Sequence, residues 1–146
     1  MTAIAIIVGS QLGSAEYVAD QLQAALQDQH IESELYLTPE LAAITQKIWL
    51  IVTSTYGAGD YPDNLLPFIA ELNDCASLAE VSFAVVGIGD SNYDTYNLAA
   101  SNCAALLQAK GAQALLPTFT IDVQDEALPE DSALLWLPAF MKQLAE

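Results

Sequence analysis

Arginine is absent from this sequence and lysine nearly so: Lys47, Lys110 and Lys142 face 19 acidic residues, for a formal net charge of -16 over 146 residues. So large a negative field repels nucleic acid and anionic lipid, so neither is expected as a partner, and a protein partner chosen by electrostatics must present a basic face. Cysteine is scarce as well. Cys75 and Cys103 share no short metal-type spacing and fall in predicted helical stretches, so no disulfide framework and no metal site are expected and both read as buried or idle thiols. No apolar run approaches the roughly 20 residues of a membrane span, and the N-terminus has neither a basic stretch nor a small-residue cleavage site. A cytoplasmic protein is expected. The single histidine, His30, reads as a solvated cap at the negative end of the first helix rather than a catalytic group.

What the chain does hold is apolar residue, 53% of the total, far too much for a disordered segment. The length suits one domain with a substantial core, and residues 1–146 are read as that one domain, a monomer, without linker, repeat or low-complexity segment.

Ala3 to Val8 is an unbroken apolar run, interrupted by Gly9-Ser10-Gln11-Leu12-Gly13-Ser14 before Ala15, Val18, Ala19, Leu22 and Leu26 recur at helical spacing. This is strand, tight loop, helix. Ile31 to Leu37 alternates apolar with polar residues and reads as an edge strand. Lys47 to Thr53 and Val81 to Val86 are apolar on both faces, as central parallel strands covered by helices are. A helix over 97–110 ends at Gly111, Ala114 to Ile121 makes a last strand, and a final helix starts near Ser132 as its N-cap. That helix is expected to bury Leu134, Leu137, Met141 and Leu144 and to kink at Pro138. Strands alternating with helices predict an α/β fold: a three-layer α/β/α sandwich on a five-stranded parallel sheet of order 2-1-3-4-5.

Ligands of such sheets bind beyond the carboxyl ends of the strands, near the switch in winding direction. Three loops fall there: residues 9–15 after strand one, 54–64 after strand three and 87–96 after strand four. In the first, backbone N–H groups at a helix N-terminus suit a phosphate, with Ser10 and Ser14 adding hydroxyls, so the lack of arginine is no obstacle. It lacks the P-loop lysine and does not read Gly-x-Gly-x-x-Gly, which favours a monophosphate over a triphosphate or dinucleotide. The other two, Thr55-Tyr56-Gly57-Ala58-Gly59-Asp60 and Gly87-Ile88-Gly89-Asp90-Ser91-Asn92-Tyr93, each join a tyrosine to glycines. Together they supply two π faces and a backbone free to approach a planar ring.

In this order and wording, with Pro62-Asp63-Asn64 closing the second loop and Asp94-Thr95-Tyr96 the third, the chain resembles the flavodoxin family over essentially its whole length. The likeness is to short-chain, stand-alone MioC-type flavodoxins and to the flavodoxin-like domains of diflavin reductases. The resemblance implies an FMN cofactor whose phosphate is held by Ser10, Gln11, Gly13, Ser14 and Ala15. By the same likeness Tyr56 and Tyr93 flank the isoalloxazine ring, Gly57 faces its N5, and Gly89, Asp90 and Asn92 line the pyrimidine edge. Thr55, Ala58, Gly59, Asp60, Gly87 and Tyr96 complete the two flavin loops, and Asp125 is a carry-over from the diflavin domains. Leu12 departs from the pattern. It stands where flavodoxins commonly place a threonine, so the phosphate is expected to lose a hydrogen bond of about 1–3 kcal/mol.

The resemblance further implies an electron carrier, loaded by an NAD(P)H-dependent reductase and unloaded by an acceptor redox enzyme, with no catalytic residue of its own because the flavin carries the chemistry. Two alternatives stay open: a flavin-dependent reductase with its own small substrate, and a protein of this fold with weak FMN retention. A signalling receiver is disfavoured, since Ser10 and Gln11 stand where it needs acids and residues 53–56 where it needs a phosphoacceptor aspartate. Trp49 and Trp136 lie outside the three loops and read as packing residues.

Overall fold

The computed structural model describes residues 3–10, 13–55, 60–92 and 96–144. Runs apolar on both faces have to be covered on both sides, and they are. Strands β1 (Ala3–Gly9), β3 (Ile48–Ser54) and β4 (Ser82–Gly89) form the centre of a parallel sheet with β2 (Glu32–Tyr36) at one edge and β5 (Gln113–Ala114) beyond β4, in the order β2-β1-β3-β4-β5. Ile4, Ile6 and Val8 meet the helices α1 (Ser14–Asp28) and α4 (Pro129–Leu144), through Val18, Leu22, Leu26, Leu137 and Phe140. On the other face Ala5, Ile7, Trp49 and Phe83 meet α2 (Leu66–Asp74) and α3 (Leu98–Ala109), through Phe68, Leu72, Cys103 and Leu107. The expected three-layer sandwich and strand order are therefore present.

Three expectations need correction. The fifth strand is not continuous from Ala114 to Ile121. β5 and β6 (Phe119–Asp122) both pair with β4; Leu115 still donates its N–H to the Phe83 carbonyl, and residues 116–118 have no strand pairing. Pro117, which has no N–H to donate, stands in that gap. The last helix begins at Pro129, so Ser132 is not its N-cap but lies in the first turn, its N–H donating to the Leu128 carbonyl. It continues through Pro138 to Leu144, burying Leu137 with Ala133 and Phe140, while Leu134, Met141 and Leu144 are only partly covered. Finally, α2 is a helix that the periodicity reading passes over. Its apolar contacts Phe68, Ile69 and Leu72 occupy barely one turn, yet parallel strands β3 and β4 require a crossover of this kind.

Trp49 is buried against Phe68, ring centroids 5.8 Å apart, with its indole N–H donating to the Gln46 carbonyl. Trp136 stacks between Phe119 and Phe140, at 5.6 Å from each. Both are packing residues. Burial pushes the Cys103 thiol up to about 12, so it stays protonated at neutral pH.

Two helix ends show how the chain is redirected. After α3, Gly111 at φ 96 lets its own N–H reach the Gln108 carbonyl and that of Ala112 reach Leu107, a Schellman motif. After α1 the same pair of bonds forms, His30 to Gln27 and Ile31 to Leu26, but with exposed His30 in the left-handed region at φ 61. A residue bearing Cβ pays about 1–2 kcal/mol there. His30→Gly is accordingly expected to raise stability by about 0.5–1 kcal/mol, part of the relief being offset by the entropy of an unfolded glycine. Urea unfolding checks this: an unchanged or lower midpoint would show that the His30 side chain contributes more than its conformation costs.

Candidate functional site

The strands end in step. Gly9 pairs with Thr53, Thr53 with Gly87 and Gly87 with Thr120, so the carboxyl ends of β1, β3, β4 and β6 open onto one edge. β1 lies between β2 and β3 in the sheet, and the winding direction switches there, where the first loop emerges.

The first loop is shaped by backbone bonds. Ser10 Oγ accepts the Gly13 N–H at 2.9 Å, leaving the hydroxyl proton to donate elsewhere, and Gly13 takes the left-handed conformation at φ 88 that starts α1. The helical ladder opens with Tyr17 N–H to the Gly13 carbonyl, so the N–H groups of the preceding first turn point out of the helix end. Ala15 is fully buried and can offer a ligand only its main chain. The loop is anchored by Asn64, whose role no local pattern in the sequence displays. Its Oδ1 accepts the Ser10 N–H at 2.9 Å, and its Nδ2 donates to the carbonyls of Val8 at 2.7 Å and Leu37 at 2.8 Å. One amide thus joins the end of β1, the segment after β2 and the loop after β3.

The second loop is also joined to α3, the helix that follows the third loop. Thr55 Oγ1 accepts the Ala99 N–H at 3.0 Å, capping the first turn of α3 from across the site. Asn97, at the N-cap position of α3, sits at φ 52 and is 1% exposed, and among the described residues it makes no cap bond and neither of its amide atoms has a hydrogen-bond partner. Its Oδ1 lies against the glycines of β4: a Cβ on Gly87 would come within 2.7 Å of it and one on Gly89 within 3.0 Å. Gly87 and Gly89 are therefore required by close packing. An unpaired buried amide costs about 1–3 kcal/mol, and such groups, like strained backbone, collect at sites completed by a ligand. Asp60 and Asn92 are exposed at this edge, and Asp90 and Tyr96 half-buried. Tyr61 is packed against the core beside Cys103, and its phenol is raised to about 12, first by burial.

The third loop carries a further contact set. The Asp122 carboxylate accepts the Ser91 N–H at 3.1 Å and the Gln124 N–H at 2.9 Å, while Asp90 accepts the Asn92 N–H at 2.9 Å and the Gln124 side-chain amide at 3.1 Å. The Ser91 hydroxyl and then the Gln124 N–H hold the Asp122 carboxyl below the usual carboxylate range. Asp125, singled out from the sequence, is exposed, and its N–H closes the turn onto the Asp122 carbonyl. Asp122 and Gln124 reach the loop through their side chains, and Val123 through its N–H to the Gly89 carbonyl. The remaining expected positions, Gln11, Leu12, Tyr56, Gly57, Ala58, Gly59 and Tyr93, lie outside the described residues. Among the described residues, no cluster of three or more histidine, cysteine or acidic side chains is placed to hold a metal ion, and no helix is long and apolar enough to cross a membrane.

Comparison with known proteins agrees with this geometry. Residues 6–136 match the Flavodoxin family. A MioC homolog of Haemophilus influenzae is 46% identical over 97% of this chain and 98% of its own. The flavoprotein alpha-component of an NADPH sulfite reductase from Thiocapsa roseopersicina is 34% identical over 78% of this chain but 23% of its own. Among solved structures, the C101S mutant of a Pseudomonas aeruginosa flavodoxin superposes with a TM-score of 0.91 at 31% identity, covering 99% of this chain and all of that one.

Proposed function

Because this chain belongs to the flavodoxin family, we propose that it takes electrons from an NAD(P)H-dependent reductase and delivers them to an acceptor redox enzyme. FMN is its cofactor, and when bound it supplies the one- and two-electron chemistry of the carrier. The chain's own residues bind, orient and screen it. The observation that carries the reading is the convergence, at one sheet edge, of the α1 N-terminus with two loops, one of them bonded to Ser10 by Asn64 and to α3 by Thr55. The orphaned Asn97 amide beneath them fits a site completed by a bound group.

In this reading Ser10 and Gly13 to Ala15, with Gln11 and Leu12, hold the phosphate by main-chain N–H and hydroxyl donors, offsetting its charge without any arginine. Thr55 to Asp60 form the first flavin loop, and Gly87, Gly89, Asp90, Asn92, Tyr93 and Tyr96 the second. Exposed acids at Asp60, Asp63 and Asp125 give the partner-facing edge a negative field. Donor and acceptor would accordingly present basic faces.

Titrating apoprotein with FMN and riboflavin tests the reading. About one FMN is expected to bind per chain, with riboflavin at least about tenfold weaker for want of charge-assisted bonds to the phosphate. Reduction of the bound flavin by NADPH should need a flavodoxin reductase and slow as salt rises. Equal riboflavin affinity would overturn the phosphate assignment, a salt-independent rate would overturn acidic docking, and rapid NADPH turnover without any partner would make the protein an enzyme.

A further inference from the structure

Asp122 and Gln124, at the end of β6 and just after it, have no role in the site assigned so far, yet with Val123 they bond to the second flavin loop at Gly89, Asp90 and Ser91. Val123 donates its N–H to the Gly89 carbonyl at 2.8 Å, continuing the β4 to β6 ladder one step past Asp122. From there two acids work crosswise. Asp122, on the β6 side, reaches over to the Ser91 N–H, while Asp90, on the loop, receives the Gln124 side chain from the β6 side. Each carboxylate also accepts an N–H from its own segment, Gln124 onto Asp122 and Asn92 onto Asp90.

We propose that Asp122 and Gln124 are positioning residues for the cofactor site, a clasp that holds the Asp90 to Asn92 turn in the shape the flavin's polar edge meets. The inference rests on the FMN reading above. An exposed turn between a strand and a helix would otherwise sample several conformations, and ordering it on binding lowers affinity by the free energy spent. The clasp orders it beforehand. Three features support this assignment. The bonds run between segments 31 to 34 residues apart in sequence, so they are not turn-local. Asp122 takes the main-chain N–H of Ser91 in the loop itself, and Gln124 holds the Asp90 carboxylate that accepts the Asn92 N–H. And Asp125, exposed in the same turn, makes no side-chain contact of this kind among those described, so the effect is specific to two positions.

The test compares Asp122→Ala with Asp122→Asn, because asparagine keeps an oxygen able to accept both N–H groups while removing the charge. FMN dissociation constants of the apoproteins and hydrogen exchange at the Ser91 amide are measured together. Asp122→Ala is expected to weaken FMN about tenfold, as loss of bonds to a charged acceptor does, and to speed Ser91 exchange by a similar factor. Asp122→Asn is expected to stay within about threefold of the parent in both. Gln124→Ala, which removes a surface amide and leaves Asp122 in place, should weaken FMN by a smaller factor and serves as the second variant should Asp122→Ala fail to fold. If the parent binds FMN and neither Asp122→Ala nor Gln124→Ala changes affinity, the clasp has no positioning role. If the parent binds no FMN, the carrier reading falls and this inference with it. Weakened binding in Asp122→Ala with parental Ser91 exchange would also overturn it, since the effect would then not pass through the loop.

Discussion

Replacing Asn64 by alanine is expected to cost about 2–4 kcal/mol of stability and to weaken FMN by at least about tenfold. Three main-chain groups from three separate elements would lose their partner at once: the Ser10 N–H and the carbonyls of Val8 and Leu37. Val8 is fully buried, so water reaches its carbonyl poorly, and an unsatisfied buried group carries its whole desolvation penalty. The affinity loss has a separate origin, because Ser10 opens the phosphate loop and its hydroxyl sets Gly13. Asn64→Asp should not rescue. A carboxylate could accept the Ser10 N–H but cannot donate to two carbonyls, and its charge would face their negative ends. Urea unfolding of the apoprotein and FMN titration read the two effects apart, and an alanine variant as stable as the parent would show that water replaces all three bonds.

The second large effect is expected at Gly87. A Cβ there would stand 2.6 Å from the Ala100 Cβ and 2.7 Å from Asn97 Oδ1, both on α3 or its cap, where carbon contacts are ordinarily near 3.5–4.0 Å. Neither side can yield cheaply. Gly87 is paired on both flanks, with Thr53 of β3 and Thr120 of β6, while Ala100 and Asn97 are buried. Gly87→Ala is therefore expected to destabilise by about 2–3 kcal/mol through overpacking and to push α3 outward, disturbing the Thr55 to Ala99 cap. Ala100→Gly alone costs about 1 kcal/mol as a helix glycine. Combined with Gly87→Ala it should recover part of the loss, so the double variant is more stable than the sum of the singles predicts by about 1 kcal/mol. Strict additivity in denaturant unfolding would place the strain elsewhere.

Local pattern carried a large share of this protein's identity. Runs apolar on both faces could only be buried parallel strands, alternation at Ile31 to Leu37 could only be an edge, and the three glycine-bearing loops then had to fall at one end of the sheet, where their residue types suit a phosphate and a ring. Those inferences need side-chain chemistry and spacing within about ten residues, which any chain displays openly. The break at Pro117 and the start of α4 were less legible because ladder pairing and capping depend on neighbours in space. What only the tertiary structure decided is which polar residues hold the site together. Asn64 bonds across 54, 56 and 27 residues, Thr55 across 44 and Asp122 across 31. Asn97 likewise became notable only once it proved buried, unpaired and wedged against Gly87 and Gly89. An asparagine or aspartate in a loop looks alike in sequence whether it is solvated or bridges two strands. The difference lies in which donors and acceptors the closed sheet brings within 3 Å, and that is settled when the strand ends assemble.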